Sequence, residues 1–320
     1  NASRIIDTEA KDLSGKIFVT SGLGGMSGAQ PKAAVIAKGV CIVAEINTKA
    51  TKKRHKQGWV DEVFTDLDKL LDRAIDAKRN KEAISIAYNG NIVDLWEKIV
   101  QRDIHIEIGS DQTSLHNPWA GGYYPIGISY KDANEMMSKN PKKFKKEVQK
   151  TLIRHTNAIN TLTKKGMYFF DYGNAFLLEA KRAGADILNY KGDFKYSSYV
   201  QDIMGPMCFD YGFGPFRWTC TSNDPKDLSI TDKIASEVLE KIIKNSPNEI
   251  KLQMKDNINW IKSADKNKIV VGSQSRILYA DAEGRIKIAE AFNNAIAKGI
   301  LSAPIVLGRD HHDVSGTDSP

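Results

Sequence analysis

Four glycines and one acid carry the clearest chemical signal in this chain. Gly22, Gly24, Gly25 and Gly28 fall in Thr20-Ser-Gly-Leu-Gly-Gly-Met-Ser-Gly-Ala-Gln-Pro31, between an apolar run, Lys16–Thr20, and a helical one, Lys32–Lys38. A second apolar run, Val40–Ala44, follows at once and ends on Glu45, 23 residues after Gly22. Strand, tight turn, helix and strand in this order form the first half of a βαβ unit. There glycines let the backbone approach a pyrophosphate at a helix N-terminus, and an acid about 20 residues on accepts from ribose hydroxyls. The glycine spacing, G-x-G-G-x-x-G, matches the common fingerprint only loosely, so a plain glycine-rich turn stays open beside dinucleotide binding.

Three further clusters offer chemistry. Asp111–Pro125 gathers Gln112, Thr113, Ser114, His116, Tyr123 and Tyr124 into one loop, which can hydrogen-bond phosphates and stack a flat ring, or can satisfy its own backbone. Arg217 lies in Gly212-Phe-Gly-Pro-Phe-Arg-Trp218, where a guanidinium held among rings and prolines suits bidentate capture of a carboxylate; alternatively its stem packs on the rings while its head reaches water. Arg309-Asp-His-His-Asp313 follows the run Ala303–Gly308, read as a buried strand, and can supply an acid/base pair. Metal ligation ranks below that, because no third His or Cys is near in sequence, and no metal is expected.

These residues need a scaffold, and the patterning supplies one. After Glu45, helical periodicity over Asp66–Lys78 and Asn91–Val100 alternates with apolar runs at Ala83–Tyr88 and Ile104–Gly109. Such alternation implies a parallel sheet with helices on both faces and ligands at the carboxyl ends of the strands. A long helical stretch from Tyr130 to Lys165, broken at Pro141, leads to a strand-turn-helix over Met167–Ala180. Residues 200–222 then turn rich in Gly, Pro and aromatics without a clean period, which places a domain boundary near 200. Helices are expected around 229–244 and 283–298.

Composition bounds the rest. The 320 residues carry 41% hydrophobic and 27% charged side chains, a globular balance. No apolar run approaches the ~20 residues that span a bilayer, and the N-terminus has no signal-peptide pattern, so no membrane partner is expected. Cys41, Cys208 and Cys220 have neither disulfide nor zinc spacing, which fits a reducing cytoplasm. The net charge of +7 comes largely from Lys49–Lys56 and Lys142–Lys150. These runs read as solvated helix faces, because no aromatics alternate with them as a nucleic-acid platform requires. The chain lacks an initiator Met and stops in a polar stretch, so a segment of a longer protein is expected.

Taken together, Gly22–Pro31, Asp111–His116, Phe170-Asp-Tyr-Gly-Asn174, Gly214-Pro-Phe-Arg-Trp218 and Gly308-Arg-Asp-His311 resemble the urocanase family, in the family's order and across the whole chain. The resemblance implies an α/β fold: a Rossmann-like NAD-binding domain over residues 1–198, then part of a second α/β domain over 199–320. It implies urocanate hydration to 4-imidazolone-5-propionate with NAD⁺ as an electrophile instead of a hydride acceptor, and a homodimer for the full-length protein. By position, NAD contacts would be Gly25, Met26, Ser27, Glu45, Asn91, Ile92, Gln112, Thr113, Ser114, Leu115, His116, Tyr123, Tyr124 and Tyr172. Catalytic roles would fall to Arg217, Asp310 and His311. Two departures stand out: Ala50 occupies a position that is Arg in many bacterial members, and Leu278 stands where those members carry a cysteine assigned to catalysis. The rivals are an ordinary NAD-dependent dehydrogenase, a cofactor-binding piece without turnover, and a basic nucleic-acid binder.

Overall fold

The computed structural model describes residues 5–6, 12–24, 27–111, 115, 117–172, 175–267 and 274–308. The chain divides into two compact units, the first reaching Ile203 and the second beginning at Met204.

In the first unit, strands and helices alternate: β1 (Ile17–Ser21), α1 (Ala29–Ile36), β2 (Val40–Ala44), α2 (Thr48–Lys56), β3 (Glu62–Phe64), α3 (Leu67–Arg79), β4 (Ile84–Tyr88), α4 (Ile92–Gln101) and β5 (Ile108–Asp111). Then come α5 (Tyr130–Lys139), α6 (Pro141–Thr163), β6 (Tyr168–Asp171), α7 (Phe176–Arg182) and β7 (Ser197–Ser198). The seven strands form one parallel sheet in the order β3-β4-β2-β1-β5-β6-β7. From β1 the chain first builds outward through β2 to β4 and then returns to add β5 on the other side. The strand order therefore reverses between β1 and β5, where open α/β sheets bind their ligands.

The alternation of side chains explains why both faces are covered. Ile17, Val19, Val40, Ile42, Ile84 and Ile86 pack with Leu70 and Leu71 of α3 and Val93, Trp96 and Ile99 of α4. The intervening residues Cys41, Val43 and Ala87 pack on the other face with Ala34 of α1 and Leu23. A strand buried on both faces reads as a continuous apolar run, as β2 does, with all five residues buried. Each such aliphatic contributes ~1.5–3 kcal/mol of burial. Helix starts are written in the sequence: Asn47, Asp66, Asn91, Ser129 and Asn140 each accept a backbone N–H at an N-cap.

The second unit holds β8 (Gly214–Cys220), α8 (Pro225–Ile242), α9 (Asn248–Lys262), β9 (Ser275–Ala280), α10 (Ala282–Ala297) and β10 (Ile305–Gly308). Its antiparallel sheet runs β10-β8-β9. Phe216 and Trp218 of β8 and Leu278 of β9 face a core with Ala235, Leu239, Ile258, Ile261 and Phe292. Arg276, 1% exposed, forks onto Asp232 through Nε at 2.9 Å and Nη2. Among the described residues no helix is long and apolar enough to cross a membrane.

Several expectations need correction. The run Ala303–Gly308 is not a buried strand: β10 is a sheet edge with Val306 57% and Leu307 43% exposed. The aromatic stretch 200–222, which showed no period, contains β8, whose alternation is obscured by Pro215 and the turn residues before it. Helix α9 and strands β3 and β9 went unpredicted, because lysines interrupt the stripe of α9 and β3 has only three residues; β9 is longer, and residue type alone did not mark it.

Candidate functional site

The carboxyl ends of β1, β2, β4, β5 and β6 carry the polar residues of the first unit. Buried hydroxyls stitch the switch point together. Thr20 Oγ1 donates to Gln30 Oε1 at 2.5 Å and, its single proton being used, accepts from Ser110 Oγ at 2.9 Å. Ser21 Oγ donates to Asp111 Oδ2 at 2.6 Å. These bonds tie β1 to α1 and β5, so the glycine loop leaves a rigid strand end.

The loop is shaped by its own side chains and by Glu45. Gly22 has φ of +87°, the left-handed region in which a side chain is strained, and its N–H donates to Ala44 O at 2.8 Å. Glu45 Oε2 accepts from Leu23 N at 2.7 Å and Oε1 from Asn47 N at 2.8 Å. Burial pushes the Glu45 carboxyl above its ordinary range, opposed by these backbone hydrogen bonds. Ser27 Oγ accepts from Gly24 N at 2.9 Å. Among the described residues, a Cβ added at Gly24 would meet only Ser27 Oγ, at 3.5 Å, so on that side the backbone is open to close approach. The first turn of α1 has neither an acid nor a side-chain cap, in contrast to α2 to α6.

Asn91 is committed at both ends of its amide: Oδ1 accepts from Val93 N at 2.9 Å, and Nδ2 donates to Tyr124 O at 2.8 Å. It thus starts α4 and fastens the loop after β5, while Ile92 beside it is buried. Leu115 and Tyr123 are each 1% exposed. The Tyr123 hydroxyl lies 2.9 Å from Nδ1 of His155, a fully buried imidazole on α6 that packs against Phe176 at 4.8 Å. Burial lowers His155 to about 4, against a smaller pull from Asp111. Tyr124 bonds Asn134 Oδ1 at 3.1 Å and is pushed up to about 12 by burial and by Tyr130. Tyr172 stacks on Tyr199 with centroids 4.7 Å apart.

Ser27, Glu45, Asn91, Ile92, Leu115, Tyr123, Tyr124 and Tyr172 therefore all belong to the first unit. Arg217 sits half-buried in the middle of β8, in the second unit, paired with Ile277 and Gly308 in register. Leu278, 3% exposed, is packed in the second core. Gly25, Met26, Gln112, Thr113, Ser114, His116, Asp310 and His311 lie outside the described residues. Among the described residues no group of three or more His, Cys, Asp or Glu is placed to hold a metal ion.

Sequence reading missed two buried polar residues here. Asp171, fully buried at the end of β6, accepts from Leu177 N at 3.1 Å and so caps α7, whose entry residue Ala175 has φ of +67°. Arg54 was counted among solvated cations, yet it is 8% exposed and bonds the carbonyls of Leu23 and Gly24. The available signal was its spacing: Thr51 and Arg54, three apart, are the buried face of a helix otherwise covered in lysines.

Comparison with known proteins agrees with this geometry. The family model for the urocanase Rossmann-like domain matches residues 2–203, and that for the urocanase C-terminal domain matches 206–320. The chain is 57% identical over 316 residues to a protein of Dictyostelium discoideum named "Probable urocanate hydratase". It is 54% identical over 319 residues to urocanate hydratase of Mus musculus and 53% over 320 residues to that of Homo sapiens. Each alignment covers 97% of this chain and 47% of the relative, so the chain spans about half the length of the proteins it resembles. With both matches running in tandem along one polypeptide, the chain belongs to the urocanase family.

Proposed function

We propose that this chain is the part of a urocanate hydratase that holds NAD⁺ and supplies the arginine for the substrate carboxylate. The observation that carries the reading is the Glu45 carboxylate at the switch-point end of β2. It shapes the glycine loop with one lone pair on each oxygen and keeps further acceptor positions for ribose hydroxyls. The open backbone at Gly24 and the uncapped start of α1 suit a pyrophosphate. Ser27, Asn91, Ile92, Leu115, Tyr123, Tyr124 and Tyr172 would line the dinucleotide, together with Gly25, Met26 and Gln112, Thr113, Ser114 and His116. NAD⁺ bound there supplies an electron-poor nicotinamide ring.

The protein's own contribution is binding and orientation. Arg217 presents a planar fork from a strand hydrogen-bonded on both edges, a fixed backbone from which its guanidinium would clamp the propenoate carboxylate. Asp310 and His311 would hold and move the protons of water addition. No membrane or nucleic-acid partner enters this reading, and the full-length protein would be a cytoplasmic homodimer.

The test uses the full-length protein with urocanate. Its ultraviolet absorbance should fall without growth of NADH absorbance, and Arg217→Lys should raise KM by about ten-fold or more, since an ammonium cannot reproduce the fork. Substrate-driven NADH accumulation would instead identify a dehydrogenase.

A further inference from the structure

The basic run Lys49–Lys56 contains one cation that does not face water. Lys52, Lys53 and Lys56 are exposed, whereas Arg54 is buried against the glycine loop. Its Nε donates to Leu23 O at 3.2 Å, its Nη2 to Gly24 O, and its Nη1 to Gln57 Oε1 at 3.1 Å. The face of the guanidinium lies 4.9 Å from the centre of the Trp59 ring. A permanent cation is tolerated at such depth only where its donors are met, and here two of them meet consecutive carbonyls of one loop.

This arrangement fixes a peptide plane from both sides. The Leu23 carbonyl is held by Arg54, and the Gly24 N–H, which a trans peptide directs the opposite way, is held by Ser27 Oγ at 2.9 Å. Gly28 completes the seat, because a Cβ there would lie 2.2 Å from Arg54 Nε and the guanidinium would have to shift from its place. The glycine at 28 thus makes room for an arginine from α2.

We propose that Arg54 is the positioning residue of the glycine loop: by holding the Leu23 and Gly24 carbonyls from behind, it orients the loop's peptides to receive a dinucleotide pyrophosphate. The proposal rests on the reading of this loop as the NAD⁺ site. Preorganisation of this kind acts on affinity, because a loop already in its bound shape pays no ordering cost on binding.

The experiment measures NAD⁺ affinity of the full-length protein freed of nucleotide, as wild type, Glu45→Ala, Arg54→Lys and Arg54→Met. It also follows hydrogen exchange at the Gly24 amide. Arg54→Met should weaken NAD⁺ by about ten-fold or more, and Arg54→Lys by less, since one ammonium cannot span both carbonyls in a plane. The Gly24 amide should exchange faster in both. A purely architectural arginine would lower the melting temperature and leave affinity alone.

Should an Arg54 variant fail to fold, Gly28→Ala attacks the same contact from the other side. It should weaken NAD⁺ as well, and less than additively when combined with Arg54→Lys. Folded Arg54 variants that bind NAD⁺ within about two-fold of wild type, while Glu45→Ala is weakened, would overturn the proposal alone. A wild-type protein that does not bind NAD⁺ would overturn the site reading and the proposal together.

Discussion

A buried imidazole gives the first unit a local sensitivity to acid. His155 has no exposed surface, and burial holds its folded-state pKa at about 4, below the ordinary value of 6.5. Between these values the unfolded chain binds a proton that the folded protein does not, so stability falls as pH drops from 6.5 towards 4. The full difference is of order 3 kcal/mol at one tenfold step per 1.4 kcal/mol. Replacing His155 by Phe should flatten the dependence of melting temperature on pH in this window, and a slope identical to wild type would show that His155 is not its source. At the same scale, the residues singled out as cofactor contacts have double duties. Glu45 and Asn91 already serve the backbone around them: one bond of each is local, to Asn47 N and Val93 N, whereas the bonds to Leu23 N and Tyr124 O join distant turns that residue type alone could not reveal.

Helix starts and strand ends are the elements on which the site depends. Asn91 caps α4 and tethers the loop at Tyr124, so Asn91→Ala removes an N-cap and takes the donor from the half-buried Tyr124 carbonyl. A loss of about 1–3 kcal/mol is expected, lowering the melting temperature by roughly 2–10 °C for a unit of this size. An unchanged melting curve would mean that solvent replaces both bonds at no cost. The βαβ pattern of the first unit was legible because its signals are local: apolar runs of strand length, glycine turns and Asn or Asp caps at helix starts. The glycine loop and Glu45 were legible for the same reason. What stayed hidden depends on packing between distant segments. Arg54 looks like any member of a basic run until α2 is laid against the loop after β1, and Asp171 reads as part of a motif until its cap on α7 is seen. The strand β8 was hidden by Gly and Pro at its start, and the exposure of β10 cannot be told from its apolar residues.

Across the whole molecule, the residues proposed for the site fall in both units. The first carries the described residues assigned to the dinucleotide, while Arg217 is carried by the second. Membership of the urocanase family is shown by matches to both of its domain models, and the chain spans about half the length of its relatives. Binding and turnover should therefore separate in the 320-residue chain: the residues proposed to hold NAD⁺ all lie within it, whereas the proposed hydration would draw on the remaining half of the relatives' length. Glu45 and the loop it shapes are the core of the proposed NAD⁺ site. The most direct measurement is calorimetric titration of NAD⁺ into this chain and into Glu45→Ala. Saturable binding by the wild-type chain is expected, weakened by about 1–3 kcal/mol in the variant as charge-assisted hydrogen bonds are lost. Equal affinity in the two proteins, or no binding by either, would contradict it.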